Sequence, residues 1–148
     1  MVPSVIILAA GKGTRMEADL PKVLHQVGGA PILLHVLQTT IRIEPEHIIL
    51  VTGHGAEAVE VAAKAYDDTI KVVLQQEQKG TAHAVLQAKT ALTDARGDTI
   101  VLYGDTPFVR SETLLALLEA RRSADIVVLG FEAADPKRYG RLVMPDNK

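Results

Sequence analysis

Apolar residues along this chain fall into short blocks that alternate between two periods. Val5–Ala10, Ile48–Thr52, Ile70–Leu74, Thr99–Tyr103 and Ile126–Phe131 are near-continuous apolar runs of five or six residues. Runs of that length suit strands buried on both faces. Ile70–Leu74 is also rich in β-branched residues, which favour extended backbone. Between the runs, Pro31–Ile43, Ala56–Tyr66, Thr81–Leu92 and Ser111–Arg122 carry apolar residues at helical spacing. Pro31 suits a first turn, and the Thr81 helix starts after Gly80. Ser111 is the expected N-cap of its helix, with Glu112 in the first turn. This alternation predicts an α/β fold: a doubly wound, mostly parallel sheet with helices on both faces. Arg141–Met144 reads as a last strand and Pro145-Asp146-Asn147 as a turn. A strand without its return partner is an exposed edge. The pattern therefore reads as a single domain over residues 1–148, truncated at its C-terminal end, with a frayed tail as the alternative.

Composition narrows the class. The chain has 148 residues, one domain's length and enough to bury a core. Apolar residues make up 47% but aromatics only 3%, so the core is built from Ala, Val, Leu and Ile. A net charge of −2 gives no basic field, and no nucleic-acid partner is expected. Zero cysteines exclude disulfides, zinc–thiolate sites and cysteine nucleophiles. No apolar segment approaches the roughly 20 residues that cross a bilayer, and no signal-peptide pattern opens the chain. The expectation is a soluble, cytoplasmic protein without a membrane partner. The sequence leaves its oligomeric state open.

Three loops at expected strand ends carry candidate chemistry. In open α/β sheets, ligands bind beyond the carboxyl ends of the strands. The first loop is Leu8-Ala9-Ala10-Gly11-Lys12-Gly13-Thr14-Arg15-Met16. Its glycines let the backbone approach a ligand, and bare N–H groups can cradle phosphate. Lys12, Arg15 and Lys22 bring positive charge, arginine as a two-pronged phosphate grip and lysine as a point charge. The loop is not a Walker A sequence. It also misses the dinucleotide fingerprint, because Met16 stands at the third glycine position and Val51-Thr52-Gly53 replaces the acidic residue after the second strand. A nicotinamide-linked oxidoreductase is thereby disfavoured. A plain strand–helix turn remains the structural alternative.

The second loop is Gln75-Gln76-Glu77-Gln78-Lys79-Gly80-Thr81, between a strand and a helix. Paired amides there can match the N3–H and O4 edge of a pyrimidine; two exposed glutamines are the plainer reading. The third is Tyr103-Gly104-Asp105-Thr106-Pro107. A lone carboxylate at a strand end suits a magnesium ion that also touches substrate phosphates, while Asp105 as the start of a turn is the alternative. The histidines show no metal-ligand spacing. His25 and His35 read as structural, His47 as solvated and His54 as part of a surface turn. His83 stands just past Gly80-Thr81, placed to orient that loop. No G-x-S-x-G elbow is present, which sets aside an α/β-hydrolase.

Six ordered blocks, LAAGKGTRM, LPKVLH, GHG, QKGTAHA, YGDTP and YGRLV, make the chain resemble the sugar-phosphate nucleotidyltransferases of the Rossmann-like type. Within them it is most similar to the uridylyltransferase domain that makes UDP-N-acetylglucosamine. The resemblance covers the whole chain. It implies that Leu8, Ala9, Ala10 and Gly11 line the nucleotide site through their backbone. Arg15 and Lys22 would hold the UTP phosphates. Gln75, Gly80 and Thr81 would read uracil, and Tyr103, Gly104 and Asp105 would close the site. Asp105 would be a ligand of Mg²⁺, and Gly140 would contact a sugar 1-phosphate through its backbone. Arg15, Lys22 and Asp105 are the catalytic candidates. The family domain continues past Lys148 with further sugar and metal contacts, so a nucleotide-binding chain without turnover is the rival expectation. Ala82 replaces a glycine frequent in the family.

Overall fold

The computed structural model describes residues 2–11, 20–137 and 139–143. Its centre is a four-stranded parallel sheet. β1 (Ser4–Ala9), β4 (His47–Thr52), β5 (Lys71–Leu74) and β6 (Thr99–Tyr103) lie in the order β5–β4–β1–β6. β4 and β1 are the inner strands, and Ser4 of β1 lies opposite His47 on one side and Thr99 on the other. The chain runs from β1 to β4 and β5 on one side, then returns to place β6 on the other. That reversal makes the C-terminal ends of β1 and β6 a topological switch point.

Side chains leave a strand on alternate faces, and the core divides accordingly. Val5, Ile7 and Ala9 point to one face, where Leu50 joins them. That face is covered by α1 (Ile32–Ile41), α2 (Ala56–Tyr66) and α4 (Ser111–Arg121), through Leu33, Leu37, Val59 and Leu114. Ile6, Ile49 and Val51 point to the other face. Ala84 of α3 (Thr81–Gln87) and Ala88 of the 3₁₀ segment Ala88–Leu92 cover it. In α1 the buried positions Leu33, Val36, Leu37 and Thr40 follow the helical stripe. Thr40 Oγ1 donates to Val36 O at 2.8 Å, so its hydroxyl enters the core satisfied.

Several elements differ from the expectation. Pro31 precedes α1 and pairs with Gln26 in a small hairpin of β2 (Gln26–Val27) and β3 (Ala30–Pro31). Gly28 and Gly29 turn it with φ of 61° and 86°; a two-residue hairpin loop with both φ values positive is natural for a Gly-Gly pair. The Thr81–Leu92 helix is α only to Gln87 and tightens to 3₁₀ beyond it. Ser111 is the first helical residue of α4 rather than its N-cap. Arg110 holds the cap position without a side-chain cap bond.

The largest correction lies near the end. Ile126–Phe131 forms no strand, and Ile126, Val128 and Phe131 stand exposed. Residues 141–143 form none either, with Leu142 and Val143 exposed, while Met144 to Lys148 lie outside the described residues. A strand exists through its ladder. β6 is hydrogen-bonded to β1 alone, and neither segment pairs with its other edge. Among the described residues no helix is long and apolar enough to cross a membrane.

Candidate active site

The sheet's C-terminal edge opens into a cavity of about 490 Å³ at the switch point. Its floor is the end of β1: Leu8, Ala9, Ala10 and Gly11 all line it. Ala9 and Ala10 are buried, so this segment meets the cavity mainly through its backbone. A Cβ built on Gly11 meets no atom of the described residues within 4 Å. Lys12, Gly13 and Arg15 lie outside the described residues.

β6 supplies the facing wall. Gly104 N donates to Leu8 O at 2.8 Å and ties the two strand ends together. A Cβ there would lie 3.0 Å from Leu8 O and 3.3 Å from Ala9 Cβ, so close backbone approach calls for glycine. Gly104 is therefore a spacer behind the wall, while Tyr103 and Asp105 line the cavity itself. Asp105 lies inside a turn rather than beginning one: Thr106 Oγ1 and N both donate to Tyr103 O, so the turn starts at Tyr103. The turn reading and the site reading of Asp105 are thus compatible.

Opposite Asp105 stands Lys22, 83 positions earlier in the chain, on the 3₁₀ turn Lys22–Leu24. Lys22 Nζ donates to Asp105 Oδ2 at 2.6 Å. The turn is anchored by Val23, which is buried in the core. Lys22 and Asp105 are the charged groups among the described lining residues, and they neutralise each other. Their side chains are 42% and 35% exposed. A pair so open to solvent contributes about 0–1 kcal/mol, so an incoming ligand separates it at little cost.

The third wall is the loop from β5 to α3. Gln75 is only 4% exposed, and its backbone N–H donates to Thr52 O at 2.8 Å, continuing the ladder past β5. Its side-chain Nε2 donates to Gly80 O at 3.2 Å and lies 2.9 Å from His83 Nδ1. Gln75 lines the cavity, as do Gly80 and Thr81, whereas Gln76 is exposed outside it. Gly80 has a φ of 95°, a conformation that favours glycine. Gln78 was missed in the sequence reading. Its Nε2 donates to Ala10 O at 2.6 Å and joins this loop to the end of β1. A fourth glutamine-family position in a polar loop carries no signal that singles it out. Val23 and Ala84 complete the lining and were hidden among core residues.

Gly140 is not brought to this cavity. It lies exposed in the segment after α4, with no atom of the described residues within 4 Å of a Cβ built on it. His25 and His35 are structural, bonding to Leu20 O and Val27 O. His54 sits in an exposed turn. His47 is not solvated as expected: it is half-buried at the start of β4, and its Nε2 is buried with no partner among the described residues.

A cavity bounded by the end of β1, a buried amide and a lysine–carboxylate pair at the switch point is the ligand site expected of an open α/β domain. The chain belongs to the MobA-like NTP transferase domain family, whose model matches residues 5–142. It is a nucleotidyltransferase domain. It is 61% identical over 140 residues to the bifunctional protein GlmU of Cereibacter sphaeroides, covering 95% of this chain and 31% of that protein. It is 58% identical over 144 residues to the bifunctional protein GlmU of Ruegeria pomeroyi, covering 97% and 32%. The chain thus spans about a third of the length of these relatives. Among solved structures it resembles a nucleotidyl transferase from Methanothermobacter thermautotroptrophicus, at 26% identity and a TM-score of 0.66, covering 80% of this chain and 57% of that one.

Proposed function

We propose that this domain binds UTP in the cavity and transfers its uridylyl group to a sugar 1-phosphate, N-acetylglucosamine 1-phosphate, releasing pyrophosphate. The observation that carries the reading is the meeting of Gln75, the Leu8–Gly11 backbone and the Lys22–Asp105 pair around one cavity. High identity to GlmU proteins over this region supports the uridylyl branch.

The arrangement divides the labour. Gln75 and Gly80 take the base, and the Leu8–Gly11 backbone takes the ribose and phosphates. A sugar phosphate oxygen attacks the α-phosphorus in line, and pyrophosphate leaves. The protein's part is positioning and charge neutralisation. Lys22 turns its ammonium from Asp105 to the triphosphate, and Arg15 adds a second cation from the first loop. The donor set fits Mg²⁺. No group of three or more His, Cys, Asp or Glu ligands exists among the described residues. Asp105 offers hard oxygens in the cavity, as suits an ion held by one carboxylate plus substrate phosphates. When bound, that ion lowers the repulsion between two anionic substrates.

The test is thermal unfolding with Mg²⁺ and, separately, UTP, CTP, GTP, ATP and NADH, followed by assay of pyrophosphate release with the sugar phosphate. A ligand that binds only the folded state raises the midpoint. A shift with UTP, larger than with the others, and release of pyrophosphate are expected. A midpoint moved by none of them refutes the reading, and one moved by NADH alone restores the oxidoreductase. Binding without turnover is the second reading. It is favoured by Gly140 standing outside the cavity, and a UTP shift without pyrophosphate would establish it.

A further inference from the structure

His83 has no part in the chemistry described above, yet it touches the residue assigned to the base. It lies in α3, half-buried, between two glutamines. Its Nδ1 is 2.9 Å from Gln75 Nε2, and its Nε2 is 3.2 Å from Nε2 of Gln87, one turn further along, which also lies 3.3 Å from His83 O. Gln75 is itself nearly dry at 4% exposure, so the way its amide is paired matters.

An imidazole cannot accept from two amide nitrogens at once, so one of the two amides must present its oxygen to the ring. Gln87 is only half-buried and can turn its Oε1 toward His83 Nε2, whereas Gln75 is buried and tied to Gly80 O. A carbonyl oxygen only accepts, so the half of the Gln75 amide that faces Gly80 O is the NH₂. The second proton of that NH₂ then meets His83 Nδ1, which must accept it. An accepting Nδ1 puts the ring's own proton on Nε2, where Gln87 Oε1 can take it once that amide has turned. Both Gln75 donors are consumed within the protein, and among the described residues Oε1 is the polar atom without a partner. A free carbonyl in register with N3 selects a base that donates at that atom; cytosine's donor is its 4-amino group, one position away. Uracil N3 carries a proton, whereas cytosine N3 only accepts.

We propose that His83 is a positioning residue that fixes the orientation of the Gln75 amide and thereby sets the preference for uracil over cytosine. The proposal rests on the nucleotide-binding reading above and goes beyond it. A flipped amide would present NH₂ to cytosine N3. It would also place its oxygen against Gly80 O and leave Nδ1 without its donor.

The experiment measures Kd for UTP and CTP in Mg²⁺ by calorimetric titration, for the unmodified chain, His83→Leu and His83→Asn. Asparagine restores an amide oxygen near the position of Nδ1. With one buried hydrogen bond lost, His83→Leu should reduce the UTP-over-CTP ratio about tenfold, and His83→Asn should recover most of it. A purely structural role predicts equal loss in both variants, or a lowered melting point with the ratio unchanged; either result overturns the proposal. Nitrogen-15 shifts of the ring decide independently of folding in the variants. The Nε2–H tautomer is expected, and an Nδ1–H tautomer refutes the scheme. An unmodified chain that binds UTP and CTP equally overturns base selection by Gln75 itself. One that binds neither overturns the nucleotide reading.

Discussion

Gly53 provides a sharp test of how the site is held. It follows β4 in the Gly53-His54-Gly55 loop, and its φ lies outside the left-handed region, so alanine fits its backbone conformation. Space is the obstacle. A Cβ on Gly53 would sit 2.7 Å from Ala10 O, 3.0 Å from Ala10 Cβ and 3.1 Å from Ala10 Cα. Ordinary contact begins at 3.4 Å, so the two backbones must part by about 0.7 Å. Backbone atoms have no rotamer to retreat into. Overpacking of this kind costs about 1–3 kcal/mol, offset in part by the ~0.4–1 kcal/mol that Gly→Ala gains through the unfolded chain. The displaced carbonyl is the one that accepts Gln78 Nε2, whose loss adds about 1 kcal/mol. Urea unfolding of Gly53→Ala should show a net loss of about 1–3 kcal/mol. Nucleotide titration should show about fivefold weaker binding, because Ala10 lines the cavity. A variant as stable as the parent, with unchanged affinity, would refute the claim that Ala10 is clamped between Gly53 and Gln78.

Other outcomes follow from the same structure. Asp105→Ala should reduce turnover by about 10²-fold or more without loss of the folded state, and near-normal rates would remove Asp105 from the mechanism. Lys22→Ala should change unfolding stability by less than about 1 kcal/mol, because its ion pair is half exposed. Transition-state stabilisation should fall by about 2–4 kcal/mol; unchanged kcat/KM would end its assignment. Leu33→Ala empties a fully buried core position and should cost about 2–5 kcal/mol in denaturant unfolding. Asp67 accepts hydrogen bonds from Thr69 Oγ1 and Thr69 N, which hold its carboxyl below the ordinary value of 3.8. A depressed folded pKa stabilises the protein above the unfolded pKa, and that stability is lost as pH falls through the folded value. The deficit of Thr69→Val should therefore be present at neutral pH and shrink below the carboxylate range. A deficit that does not change with pH would refute this.

The central strands were legible because burial on both faces writes a strand as an unbroken apolar run. β6 and α2 fall where the pattern placed them, at Thr99–Tyr103 and Ala56–Tyr66. The same signal misled at Ile126–Phe131, since an apolar run states that a segment can be buried but not what it pairs with. The Gly28-Gly29 hairpin was present in the sequence as a turn signal beside two short extended pairs and was passed over. The glycine-rich strand end, Gln75 and Asp105 were legible from their places at strand ends. The Lys22–Asp105 pair and the Gln78–Ala10 bond were not, because each joins residues 83 and 68 positions apart, respectively. Such meetings belong to topology, and no local pattern encodes them.

The position of β1 between β4 and β6 has a consequence for the birth of the protein on the ribosome. Ser4 must wait for Thr99, its partner in the register, for 95 further residues. At about 5–20 residues per second, that is roughly 5–20 s of translation. β4 and β5 can join β1 during that interval, but one flank of the most apolar strand stays uncovered until β6 emerges. The tie from Gly104 to Leu8 then closes the sheet and the cavity floor in the same act. The cavity thus forms only once β6 has emerged, and a chaperone that shields β1 would act within that window.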